Sequence, residues 1–116
     1  MHGDELELEA HEHSNQPNVQ MVESGICDRA AAIFRALGDS NRLRLLSLLM
    51  SRELCVSEIS GILDDNLSAV SQRLKLLRSE RIVVVRREGK HMFYSLADGH
   101  IRELIANALA HGNEHD

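Results

Sequence analysis

The chain has 116 residues, a formal charge of −5 and 43% hydrophobic residues, yet Phe34, Phe93 and Tyr94 are its only aromatics and it has no Trp. That length bounds one small domain with or without a tail, with an aliphatic core and little surface to spare, so that dimerisation would help to bury more of it. Two isolated cysteines, Cys27 and Cys55, make no disulfide framework, the acidic N-terminus lacks the charged and apolar regions of a signal peptide, and no apolar run is long enough to span a bilayer; secreted, disulfide-rich and membrane classes are excluded, and a soluble cytoplasmic protein is expected.

The net charge hides a sharp asymmetry. Residues 1–26 hold six acids (Asp4, Glu5, Glu7, Glu9, Glu12, Glu23) and no Lys or Arg, whereas residues 66–90 hold seven bases against two acids, a local excess of five positive charges. A basic segment of this kind is what nucleic acid would meet, whatever the overall sign.

In chain order, residues 1–20 are polar, contain the only proline and show no sustained period, which predicts a disordered acidic, His-containing tail ahead of a domain over 21–116. Within the tail ELELE alternates, but a lone acidic strand has nothing to pair with. From Ser24 to Leu37 the residues Ile26, Ala30, Ile33, Phe34 and Leu37 recur at helical spacing and Gly38 ends the pattern; Cys27 is expected to pack in the core. Asp39 and Ser40 are good caps for the next helix, NRLRLLSLLMSR, whose leucines point in several directions and predict burial on more than one side. A short helix follows from Val56 to Leu63, then a turn at Asp64-Asp65-Asn66 and a longer helix from Leu67 to Ser79. The run RIVVVRREGKHMFYSL places β-branched and aromatic residues around Glu88-Gly89-Lys90, a hairpin signal. A closing helix occupies the stretch DGHIRELIANALAHGNEHD. The expected order is α-α-α-α-β-β-α, mainly helical with one hairpin.

Two helices joined by a tight turn and followed by a basic hairpin describe a winged helix-turn-helix. In the second of the two helices Leu67, Val70, Leu74 and Leu77 form the expected inner stripe, and Ser68, Ser71, Gln72, Lys75 and Arg78 the opposite face, with Arg73 beside it. Short polar side chains near the start of such a helix can approach base edges, and basic ones can hold phosphates. Arg86, Arg87 and Lys90 decorate the hairpin where a wing would meet the sugar-phosphate backbone of double-stranded DNA. An amphipathic helix alone would have the same polar outer face; helix, turn and basic hairpin together favour DNA.

In order and spacing, SNRLRLLSLL, ELCVSEIS, LSAVSQRLKLLRSERIV and RREGKHMFYSL resemble the ArsR/SmtB family of winged-helix metal-sensing repressors over roughly residues 24 to 114, closest to the SmtB-type zinc sensors through ELCV and the terminal helix. The resemblance implies a homodimer that binds an inverted-repeat operator when metal-free and releases it on binding metal, so controlling metal-efflux or sequestration genes. It also implies a relay in which the non-ligating N–H of His111 bonds the backbone carbonyl of Arg81, just after the recognition helix.

The terminal stretch carries its own argument. Asp98 and His100 stand at one end of a helix and His111, Glu114 and His115 at the other, with Ile101, Leu104, Ile105, Ala108 and Leu109 between them. Eleven helical positions bring His100 and His111 to nearly the same face but about 16 Å apart along the axis at 1.5 Å per residue. Zinc bonds to N and O are only about 2.0–2.2 Å, so one helix cannot close the set around one ion. Two antiparallel copies can, Asp98 and His100 of one lying beside His111 and Glu114 of the other, with the apolar stripe as the seam and two equivalent sites per dimer. Two imidazole nitrogens and two carboxylate oxygens suit tetrahedral Zn(II); further imidazoles from the tail or His115 would suit octahedral Ni(II) or Co(II).

Other readings compete. Solvated end residues and caps would also place Asp, His and Glu at helix ends. The letters of His111-Gly-Asn-Glu114-His115 match the H-x-x-E-H zinc-peptidase pattern, but that chemistry needs a long catalytic helix in a cleft and a further downstream ligand, and Gly112 weakens the helix there; no enzyme is expected. By resemblance, Cys55 with Glu58 belongs to a second metal site completed by the N-terminal arm, here by His11, His13 or His2, though the arm lacks the cysteine of the thiolate-rich version. Cys55 as a small buried hydrophobe is the plain alternative. A metal-independent winged-helix DNA-binding module is the remaining alternative to the sensor.

Overall fold

The computed structural model of the protein describes residues 18–114, and three of its helices begin at a side chain that accepts from a free N–H of the first turn. Helix α1 spans Ser24–Leu37 and α2 Ser40–Leu49, the latter capped by Asp39, which accepts from the Arg42 amide at 3.0 Å. A two-residue strand β1, Leu54–Cys55, leads into α3, Val56–Leu63, where Glu58 reaches back to accept from the Cys55 amide at 3.0 Å as one half of a capping box. Helix α4, Leu67–Ser79, is capped by Asn66 on the Ala69 amide at 2.7 Å. Strands β2, Val83–Glu88, and β3, His91–Leu96, form the hairpin, and α5, Gly99–Gly112, is capped by Asp98 on the Ile101 amide at 3.0 Å.

The order is therefore α-α-β-α-α-β-β-α rather than the expected α-α-α-α-β-β-α. Strand β1 pairs antiparallel with β3, Leu54 opposite Tyr94 and Cys55 opposite Phe93, so the sheet has three strands in the order β1-β3-β2. Two residues cannot display a period of two, and only their pairing partner reveals them as strand. The hairpin closes over Gly89-Lys90, with Val83 opposite Leu96 and Glu88 opposite His91. Gly89 has φ +62 and Lys90 does not take a positive φ, the pattern of a type II′ turn, whose first central position favours glycine.

The core is aliphatic, as the scarcity of aromatics requires. Leu45, Leu46 and Leu49 of α2 are fully enclosed with Ile59, with Val70, Leu74 and Leu77 of α4, with Ile82 and Val83, and with Ile105 of α5. Helix α1 joins this core through its second half, with Ala36 and Leu37 buried and Ile33 half-buried against it. Three expectations give way there: Ile26 and Phe34 are exposed, and Cys27 sits on the surface rather than in the core. The periodicity of α1 is real, but among the described residues of the chain no element packs over its first turns. Leu67 also departs from the inner stripe of α4, being exposed at the helix start. No helix among the described residues is long and apolar enough to cross a membrane.

Arginines stitch the helices together at their C-termini, where carbonyls lack partners. Arg42 donates from Nε to the Ala36 carbonyl at 2.6 Å and from Nη2 to that of Arg35 at 3.3 Å, closing α1. Arg102 of α5 donates to the carbonyl of Met50 at the end of α2, at 2.8 Å across 52 residues of sequence. Helix α4 ends in a Schellman motif: Ile82 N–H donates to Leu77 and Arg81 N–H to Arg78, both at 2.9 Å, with Arg81 at φ +61. A left-handed conformation is unfavourable for an L side chain by roughly 1–2 kcal/mol, which is why glycine is common at this position. Arg81→Gly should therefore stabilise the fold by about 1 kcal/mol, raising Tm by about 4–8 °C in a domain of this size; a lowered Tm in a thermal melt would mean that the arginine side chain contributes more than the backbone conformation costs.

Candidate nucleic-acid interface and metal half-sites

Helix α4 turns Val70, Leu74 and Leu77 into the core, and helical geometry then forces the intervening residues outward. Ser68, Ser71, Gln72, Lys75 and Arg78 are all exposed on that outer side, as the spacing predicts. Arg73 is not presented in the same way. Its Nη1 lies 2.8 Å from Asp65 Oδ2 with only about a fifth of the side chain exposed (20%), so it locks α4 to the turn that precedes it. The Arg73 guanidinium and, after it, the Asn66 amide hold the Asp65 carboxyl below its ordinary value.

The hairpin shows the same division. Arg86 on β2 donates from Nε to both oxygens of Glu53, at 3.0 and 3.1 Å, and its guanidinium lies over the Phe93 ring, 4.9 Å from the centroid. Its hydrogen bonds hold the Glu53 carboxyl low and raise the guanidinium, which is charged at any working pH. Glu53 stands just before β1, and no local pattern links it to a residue 33 positions on; the sheet register does. Arg87 and Lys90 project at the hairpin tip without an ion-pair partner among the described residues. Among the described residues the cations of this face without an ion-pair partner are thus Lys75, Arg78, Arg87 and Lys90, while Arg73 and Arg86 hold the frame.

Helix α5 presents two acid–imidazole pairs, one at each end. His100 Nδ1 lies 3.8 Å from Asp98 Oδ1, and His111 Nδ1 lies 3.6 Å from Glu114 Oε1, the two imidazoles being 97% and 86% exposed. Asp98 also serves as the cap of α5 through Oδ1, so the cap reading and a ligand role share one carboxylate, with the second oxygen uncommitted. Among the described residues no three His, Cys, Asp or Glu side chains come together within one chain. The stripe between the pairs is divided: Ile101 and Ile105 are buried in the chain's own core, and Leu104 is half-buried, whereas Ala108 and Leu109 face outward. Any seam between two α5 helices must therefore use the second half of the stripe, because the first already packs against α2 and β3.

Asp98 and His100 open onto a cavity of ≈ 470 Å³ whose other walls are Arg29, Ala32 and Ile33 of α1 and Ser79, Glu80 and Arg81 at the end of α4. This half-site consequently adjoins the strained residue that ends the outward-facing helix. At the second candidate site Cys55 is 9% exposed, with Sγ 3.2 Å from Ser57 Oγ. Glu58 is occupied by the Cys55 amide, and then by Arg52 at 3.2 Å, which together lower its pKa. His2, His11, His13 and His115 lie outside the described residues.

Residues 39–85 match the family model described as bacterial regulatory protein, arsR family. Over 101 residues the chain is 41% identical to a transcriptional repressor SmtB homolog of Synechocystis sp., covering 87% of this chain and 75% of that protein. It is 35% identical over 85 residues to a cadmium resistance transcriptional regulatory protein CadC homolog of Staphylococcus aureus, covering 72% and 70%. The homodimeric winged helix-turn-helix DNA-binding domain of Mb0332 from Mycobacterium bovis superposes with a TM-score of 0.77 at 29% identity, covering 86% of this chain and 93% of that one.

The two buttressing ion pairs have a consequence for acid stability. The ordinary values are 4.5 for Glu53 and 3.8 for Asp65, and both are lowered in the folded chain. Their stabilisation is complete above those values and is lost as pH falls through the lower folded-state ones, where the native carboxylates finally take up protons. Glu53→Gln and Asp65→Asn should each flatten the acid limb of the urea midpoint plotted against pH, modestly, because both pairs are solvent-screened. An acid limb that superimposes on that of the unaltered chain would show that the pairs contribute nothing to stability.

Proposed function

This chain belongs to the ArsR family of bacterial regulatory proteins, a family of winged helix-turn-helix transcription regulators and not of enzymes, and on that premise we propose that it is a homodimeric metal-responsive repressor. It binds an inverted-repeat operator when metal-free and releases it on binding Zn(II), so controlling genes for metal efflux or sequestration. The observation that carries this reading is the placement of two exposed acid–imidazole pairs at opposite ends of α5. One helix holds them too far apart for one ion, and a two-fold partner would supply each half with its complement.

Asp98 and His100 of one copy with His111 and Glu114 of the other would hold the metal. The donors fit Zn(II), being two imidazoles and two carboxylates with free solvent access, and the metal would supply a cross-link between the protomers. Ni(II) or Co(II) is the alternative effector if His115 or the tail adds ligands. A second site at Cys55 and Glu58, completed by His11 or His13, needs Glu58 to leave its cap and Arg52, so the α5 pair is the better sensor.

The contacts with DNA follow from the outward face of α4 and the hairpin tip. Ser68, Ser71 and Gln72 would face base edges, and Lys75, Arg78, Arg87 and Lys90 would contact phosphates, steadied by Arg73 and Arg86. Coupling to metal is carried where the Asp98–His100 half shares its cavity with Arg81. A partner's His111 brought to that half would lie near the end of α4, where its non-ligating N–H would bond the Arg81 carbonyl as the family resemblance implies, and such a bond would also fix the imidazole tautomer.

Titrating metal-free protein bound to an operator duplex at fixed salt tests the proposal, because DNA affinity is strongly ionic-strength dependent. Zn(II) should weaken binding by about 5–150-fold, the usual range of such couplings, and Co(II) absorption should report tetrahedral ligation. His111→Gln should still bind DNA but lose most of that response. Operator affinity indifferent to Zn(II), Ni(II), Co(II) and chelator would instead identify a metal-independent winged-helix module.

A further inference from the structure

The geometry points to Leu67 as a specificity-determining residue that reads a thymine methyl in each operator half-site. Leu67 opens α4 yet stays out of the core, with 53% of its surface exposed. Positions 67, 71, 75 and 78 fall within an arc of about 80° on the flank of α4 next to its buried stripe, so the exposed Leu67 borders Ser71, Lys75 and Arg78. It is the N-terminal residue of that arc, and in a helix-turn-helix the N-terminal residues of the second helix are the ones that contact base edges.

Its surroundings argue against an idle surface leucine, of which every protein has some. Leu67 and Ser71 form one wall of a mostly apolar groove of ≈ 350 Å³; Lys90, His91 and Met92 of the hairpin form another, and Cys55, Val56 and Ser57 at the start of α3 the floor. Met92 is itself 36% exposed, so two large apolar side chains from separate elements border one notch between helix and wing. Lys90 beside the notch supplies the charge that a phosphate would answer. On the DNA-contact face proposed above, on which this inference rests, the notch lies on the surface that DNA covers, and it selects for an apolar group. On the major-groove edges of the bases that group is the C5 methyl of thymine, the other features there being hydrogen-bond donors and acceptors.

The test uses the full metal-free chain and duplexes enriched with it from a random library. Each thymine of the enriched half-site is replaced in turn by deoxyuridine, which removes the methyl and leaves the base pair intact. At one position the substitution should weaken binding about fourfold, the equivalent of roughly 0.8 kcal/mol for one buried methyl-sized group. Leu67→Ala should bind the thymine and deoxyuridine duplexes equally at that position, with an unchanged salt slope because no phosphate contact is lost. Leu67→Met, of similar volume, should keep the discrimination, which separates loss of the contact from loss of fold. The inference is overturned if no deoxyuridine substitution affects the unaltered chain, or if Leu67→Ala retains the full fourfold preference.

Discussion

Burial of Ile101 and Ile105 against the leucine core is the contact on which the rest of the molecule depends. Those two residues tie α5 to the interior that also holds Leu45, Leu46 and Leu49 of α2 and Val70, Leu74 and Leu77 of α4. The same packing that turns the polar face of α4 outward thereby fixes the rotation of α5 about its own axis. With the inner side of α5 committed, Asp98 and His100 emerge beside the end of α4, and His111 and Glu114 emerge on the far turn. Close-packed interiors have low compressibility, and the proposed coupling would use the stiffness of this shared core to pass a force on α5 to α4. Arg102, reaching from α5 to the last turn of α2, adds a polar tie beside the apolar one.

Charge on the outer face is organised by subtraction. Seven bases between residues 66 and 90 promise a strongly basic surface, yet Arg73 is held by Asp65, and Arg86 by Glu53 and the Phe93 ring. Partly exposed ion pairs of this kind contribute modestly to stability. Their use here is geometric: Arg73 fastens the turn to the helix it introduces, and Arg86 fastens the hairpin to the segment before β1. The bases left free stand on rigid supports, which suits a surface that must match a regular array of phosphates.

Much of the architecture is local in origin and therefore legible in the chain. Asp39, Asn66 and Asp98 are side chains that cap helices wherever a helix follows them, and Gly89 belongs in a two-residue hairpin turn for the same backbone reason anywhere. The opposed placement of His100 and His111 follows from helical rise alone. What escaped local reading depended on partners distant in sequence. Strand β1 exists because β3 lies beside it, and Glu53 matters because that pairing sets it against Arg86. Ile26, Cys27 and Phe34 look like core residues by periodicity, but a helix pattern says which side is apolar and not whether anything in the same chain will cover it.

By itself, then, the sequence determined the winged helix-turn-helix, the outward face of α4 and the division of Asp98, His100, His111 and Glu114 between the two ends of α5, because caps, turns and periods act over a few residues of backbone. Tertiary structure alone decided which apolar residues are spent inside the chain and which remain for a second molecule. Leu67 at the head of α4 and Leu109 near the end of α5 have the same chemistry as Leu74 and Ile105, and they differ only in whether the fold brings another element over them. Burial is a property of three-dimensional neighbours, and it is those neighbours that leave Leu67 exposed at the start of α4 and Leu109 exposed near the end of α5.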